Sequence, residues 1–179
     1  MCCRQLVPIA PAEIGYLQRV LRGLPDERQG EILAACRSAG EELRRVAPVS
    51  ADRLCSLGST DRVEFGRSWF ALGIACPFLV DERCSIHPQR PLACREYVVN
   101  SPPDACATPG SGNIRRLAVP VSLWSRVARD TEGRPSWLPL IEALDADPPA
   151  EPAGSASEVI TALLNGGRRQ PSNAISAAP

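Results

Sequence analysis

Apolar residues recur at helical spacing through the first quarter of the chain. Between 11 and 24, Ile14, Leu17, Leu21 and Leu24 fall three or four positions apart, and Pro11 suits a first helical turn. A second amphipathic helix is predicted from Asp26, read as its N-cap, to Val46. Ile32, Leu33, Cys36, Leu43 and Val46 form its apolar face; Gly40 weakens its middle and Pro48 ends it. From 50 to 73 the pattern is mixed, and only a short helix or turn near 51–57 is predicted. Two further helices are predicted at 121–130 (Val121, Leu123, Trp124, Val127) and 137–145 (Trp137, Leu140, Ile141, Leu144).

Between 74 and 110 the periodicity stops. Pro77, Pro88, Pro91, Pro102, Pro103 and Pro109 forbid long regular structure, leaving loops with short extended pieces at Phe78–Val80 and Ser85–His87. So long a loop region inside a compact domain needs something else to fix it, and a bound metal is one such device. The expected fold is mainly α: a small helical domain over 1–145 with an irregular, loop-rich centre. Residues 146–179 read as a Pro/Ala/Ser-rich linker, a short helix at "EVITALLN" and a disordered tail from Gly166.

Composition narrows the function. The chain has 179 residues, 44% hydrophobic, enough for one modest core. Its formal net charge is zero, so no global field draws nucleic acid or an anionic membrane, and neither is expected as a partner. Every cationic residue is arginine. The absence of lysine excludes a Walker phosphate-loop lysine, a Schiff-base lysine and a Ser-x-x-Lys pair. His87 is the one histidine, which argues against multi-histidine catalytic zinc and against Ser-His-Asp hydrolysis. "MCCRQLVPIAPAEIGYL" lacks the layout of a secretory signal, and no run reaches the roughly 18 apolar residues of a membrane span. A cytoplasmic location is therefore expected, where thiols stay reduced and eight cysteines point to metal more than to disulfides.

Three of those cysteines crowd into "ACPFLVDERCSIHPQRPLACREY", residues 75–97, with seven and nine residues between Cys76, Cys84 and Cys94. No Cys-x-x-Cys knuckle exists in the chain, and ferredoxin spacing is absent. The signal is density on proline-bearing loops, which impose no common face. Three small buried hydrophobes would account for the same residues.

The same segment resembles the core of the CxxCxxCC family, the YkgJ-like zinc- or iron-chelating cysteine-cluster proteins. The resemblance is carried by Cys76-Pro77-Phe78-Leu79, Cys84-Ser85-Ile86-His87, Arg90-Pro91 and Cys94-Arg95-Glu96-Tyr97, with His87 where the family usually has tyrosine. Cys2-Cys3 and "VPIAPAEIGYL" are similar to the end of the family's N-terminal signature, whose two earlier cysteines would precede Met1. The expectation is that the reading frame upstream of Met1 holds them.

The resemblance implies a thiolate metal centre drawing on Cys2, Cys3, Cys76, Cys84, Cys94 and, twelve residues on, Cys106. The metal implied is zinc or iron. Up to six thiols exceed the four a structural zinc needs, which leans the reading toward an iron–sulfur centre. The alternative it raises is a cluster-dependent enzyme related to flagellin lysine-N-methylase. "GSGNIR" at 110–115 is a weak glycine match with no preceding strand.

Cys36 falls on the apolar face of the second helix and reads as core, as does Cys55. His87 reads as a packing or hydrogen-bonding side chain, and Tyr97 as a wall of the site. Arg90 and Arg95 flank the cysteines, where guanidiniums offset thiolate charge.

Overall fold

Pro11 opens α1 (Pro11–Arg22), whose Ile14, Leu17 and Leu21 are buried as the spacing requires. The computed structural model describes residues 2–46, 51–107, 113–130 and 132–147. The expected linker from 148, the "EVITALLN" helix and the tail lie outside the described residues, as do Pro48, Pro109 and the glycines of "GSGNIR". The second helix, α2 (Asp26–Val46), runs unbroken through Gly40. Asp26 is its first helical residue rather than its cap, where its charge still favours the N-terminal end of the dipole. Ile32, Cys36, Ala39 and Leu43 are buried, but Val46 on the last turn is exposed.

Two helices follow. α3 (Ala51–Ser56) agrees with the predicted short helix. α4 (Ser59–Ala71) occupies the stretch whose pattern was too mixed to assign. Its large apolar residues do not share a stripe: Trp69 is buried at 2% exposure while Val63 is exposed at 54%. Periodicity carries no signal when only one anchor reaches the core. Gly73, at φ +68°, ends α4 with its N–H on the Phe70 carbonyl, a left-handed conformation that glycine adopts without steric cost.

The extended pieces are shorter and shifted. β2 (Leu79–Val80) and β3 (Arg83–Cys84) form an antiparallel hairpin, Leu79 opposite Cys84 and Val80 opposite Arg83. Its two connecting residues, Asp81 and Glu82, both have positive φ, the primed turn that matches strand twist. The strand predicted at Ser85–His87 is instead the lead-in to a 3₁₀ turn at His87–Gln89, where Pro88 cannot donate to a ladder. A short helix, α5 (Leu92–Glu96), interrupts the expected loop and carries Cys94.

Near the C-terminal end both predicted helices shrink. α6 is only Trp124–Val127. The stretch 137–145 splits into β4 (Leu138–Pro139) and α7 (Leu140–Ala143), because Pro139 supplies no N–H inside a helix and here stands at its N-cap. β4 pairs antiparallel with β1 (Pro8–Ile9), a contact between distant segments that no local pattern announces. Gln18 on α1 closes the far end of α7, donating from Nε2 to the Ala146 carbonyl at 2.6 Å.

The described residues are thus mainly helical, with two small two-stranded sheets. One core gathers Ile9, Leu17, Ile32, Cys36, Trp69, Phe78, Ile86, Leu140 and Ile141. Phe78 and Ile86 come from the cysteine segment, so that segment is bolted to the helices rather than draped over them. No described helix is long and apolar enough to cross a membrane.

Glu13 links the two parts. Its Oε1 accepts the Leu92 N–H at 2.7 Å, at the start of α5, and its Oε2 accepts the Ala10 N–H at 3.3 Å. Burial raises its carboxyl above the ordinary range, against the pull of those two N–H donors. A raised folded-state value means the folded chain holds this proton more tightly, so the contribution to stability is full at acid pH. It is lost as pH rises from the ordinary 4.5 through the folded value. Urea melts across that window should show the wild type losing stability relative to Glu13→Gln as pH rises. Parallel pH profiles would contradict this assignment.

Candidate metal centre

Backbone bonds gather the cysteine segment from inside. The Leu79 N–H donates to the Cys76 carbonyl, and both the N–H and the hydroxyl of Ser85 donate to the Phe78 carbonyl, at 2.8 and 2.9 Å. These bonds fold the chain on either side of the hairpin around the fully buried Phe78 ring. Arg95 holds the next loop, its guanidinium donating to the carbonyls of Arg90, at 2.8 Å, and of Pro88. Its role is thus to fix the backbone between Cys84 and Cys94 rather than to face the thiols.

The N-terminus joins this segment at two points. Cys3, in a 3₁₀ turn at Cys2–Arg4, accepts the Cys76 N–H on its carbonyl at 2.7 Å. Arg4 forms a two-pronged ion pair with Glu82 on the hairpin turn, at 2.7 and 3.0 Å. That pair raises the arginine and lowers the carboxylate, the hydrogen bond being the main cause. Residues almost eighty positions apart in the chain are tied together beside the cysteines.

A cavity of about 1140 Å³ opens between these elements. Cys3, Cys76, Cys84 and Cys94 all line it, with His87, Arg90 and Tyr97. His87 Nε2 lies 2.9 Å from Arg90 Nη1 and accepts its hydrogen bond, so the ring is engaged through that nitrogen. Tyr97 is a wall, with Gln5 Nε2 at 3.5 Å from its hydroxyl and the Arg116 guanidinium 4.7 Å above its ring. Glu96 accepts from the Ser122 hydroxyl at 2.7 Å and the Trp124 N–H at 2.9 Å, bringing the 116–124 segment over the cavity as its outer side.

The other cysteines sit elsewhere. Cys106 is buried at 5% exposure in a 3₁₀ turn (Pro103–Ala107) and does not line the cavity. The Cys2 side chain lies outside the described residues. Cys55 is buried and its Sγ donates to the Trp137 carbonyl at 3.3 Å. Cys36 is in the core, where burial first and the neighbouring Cys76 second push its thiol up to about 12, so it is protonated at neutral pH.

The donor set fits a thiophilic metal, since four soft thiols share one cavity beside unneutralised guanidiniums. Their spacing is another matter: among the described residues, no three His, Cys, Asp or Glu side chains are grouped closely enough to hold an ion. The four thiols surround a common space without converging in it. Comparison with protein-family models, with characterised proteins and with solved structures returns no match to the chain.

Sequence reasoning did not find Arg116, Trp124 and Glu96 as parts of this cavity. They reach it through the Val99–Arg116 bridge and the Glu96 capping bonds, which are long-range contacts with no local signature. Cys36 gives a direct contrast with the lining cysteines. Cys36→Ala is expected to leave metal content unchanged and to cost about 1–3 kcal/mol of stability for the lost sulfur. Elemental analysis together with urea melts checks both, and loss of metal from a folded variant would contradict the core assignment.

Proposed function

We propose that the protein is a cysteine-cluster metal-binding protein, chelating zinc or iron through the thiolates of Cys3, Cys76, Cys84 and Cys94. The observation that carries this reading is that these four thiols, from the N-terminal turn, the hairpin region and α5, line one cavity. The resemblance of the 76–97 segment to the CxxCxxCC proteins supports it further. Because the thiols are not grouped for ligation in this structure, metal binding has to draw the loops inward. Such sites spend ligand-bond energy on folding, and zinc sites of this kind are worth roughly 10–16 kcal/mol at neutral pH.

Up to six candidate thiols in the chain exceed the four a structural zinc needs, and that leans the reading toward an iron–sulfur centre. Cys2, next to Cys3 in the chain, is a candidate additional ligand. Function in a reducing compartment, the cytoplasm, follows from the same chemistry, since the thiolates must stay unoxidised.

Anaerobic purification followed by absorption spectroscopy tests the reading. Visible thiolate-to-iron charge-transfer bands are expected for an iron–sulfur centre. A colourless protein that develops thiolate-to-cobalt bands on addition of Co²⁺ would identify a zinc site. Folded protein that shows neither set of bands, as purified or after Co²⁺ is added, would sink the proposal.

A further inference from the structure

The cavity contains more than thiols. Leu6, Val7, Leu117, Val119, Trp124 and Leu140 contribute an apolar wall that the proposed metal centre does not use. Leu117 and Val119 remain 48% and 39% exposed, so this wall is uncovered.

Charge inside the cavity is unbalanced in one direction. Its two carboxylates are already committed: Glu82 to Arg4, and Glu96 to the Ser122 hydroxyl and the Trp124 N–H. Its three guanidiniums are not, for no carboxylate pairs with Arg83, Arg90 or Arg116 among the described residues. Arg90 is the least satisfied. Its Nε–H is shielded from solvent and has no acceptor, and its one side-chain bond goes to His87. A small rotation toward an oxyanion would sacrifice no hydrogen bond at Nε. Arg116 is exposed and held over the Tyr97 ring, 4.7 Å from its centroid, and a guanidinium can engage a carboxylate through two parallel N–H bonds. Four thiolates on a divalent ion leave two negative charges, fewer than the three guanidiniums present. The positive excess therefore persists in a metal-loaded state.

We infer that this cleft binds a small carboxylate with an apolar body, the carboxylate on Arg90 and Arg116 and the body against the Leu117–Trp124 wall. The volume lies slightly above the roughly 300–1,000 Å³ of small-molecule clefts, and the pattern of apolar walls with a few placed polar groups is theirs. The inference goes beyond the metal reading and does not depend on it.

Octanoate, 1-octanol and octylamine share a body and differ in the head group, which makes them the probes. Titration calorimetry on the full chain as purified, with Trp fluorescence as a second signal, should show octanoate binding at least tenfold more tightly than 1-octanol, and octylamine not at all. Arg90→Gln and Arg116→Gln should each weaken octanoate at least tenfold and leave 1-octanol unchanged. Octanoate binding no tighter than 1-octanol would overturn the inference, and so would octanoate binding that neither substitution weakens. The head-group comparison needs no variant, so it decides the matter even if one arginine substitution fails to fold. Metal content measured on the same samples keeps the two readings apart.

Discussion

Serine in place of Cys76, Cys84 or Cys94 is expected to remove most of the bound metal and to destabilise the fold in the same step. Serine keeps the size of the side chain but offers a hard hydroxyl that stays protonated at neutral pH, a poor partner for zinc or iron. Since ligand-bond energy is folding energy in such centres, a loss on the order of several kcal/mol accompanies the loss of metal. Cys76 should be the most sensitive. Its side chain packs against the core and its N–H is tied to Cys3, so its neighbourhood belongs to both parts of the fold. Metal content and urea midpoint, measured together for the three variants, check this. Metal retained in all three would contradict it.

Phe78→Ala is expected to have the second-largest effect, and without touching a thiol. Phe78 is 1% exposed and anchors the cysteine segment to the helical core, while its carbonyl accepts both Ser85 donors. Truncation of a buried phenylalanine costs about 3–5 kcal/mol. For a domain whose total stability is about 5–15 kcal/mol, that is enough to unfold a substantial fraction near physiological temperature. Thermal melts followed by circular dichroism should show a lowered, broadened transition, with part of the loss restored by added metal. An unchanged midpoint would mean that the segment is held by something other than its packing.

The two long helices were legible because each keeps an apolar stripe against the core over several turns. Ile14, Leu17 and Leu21, then Ile32, Cys36 and Leu43, each repeat at the helical interval. Pro11 marked a boundary that the backbone obeys. α4 was illegible because Trp69 alone is deeply buried along it, and one anchor has no period. The β1–β4 pairing joins residues separated by nearly the whole described chain, and its strands are two residues long, below the reach of any alternation.

The candidate site divides in the same way. Cys76, Cys84, Cys94 and Cys3 were marked by density and by resemblance, and they line one cavity. Cys106 was marked by the resemblance alone, and it is buried away from that cavity. Arg95 was read as flanking the cysteines, where a guanidinium can offset thiolate charge; it spends its donors on loop carbonyls, a choice set by backbone geometry that spacing does not encode. Arg116 and Trp124 carried no sign of involvement, because capping by Glu96 and the Val99–Arg116 bridge bring them in.

Elemental analysis of the full chain purified without oxygen, with acid-labile sulfide measured on the same sample, tests the central claim most directly. The account predicts about one equivalent or more of iron with matching sulfide, or of zinc without it, retained through gel filtration and lost when Cys84 is replaced by serine. Protein that folds cooperatively with neither metal, and that takes up none on addition of Zn²⁺ or Fe²⁺ under reducing conditions, would contradict it.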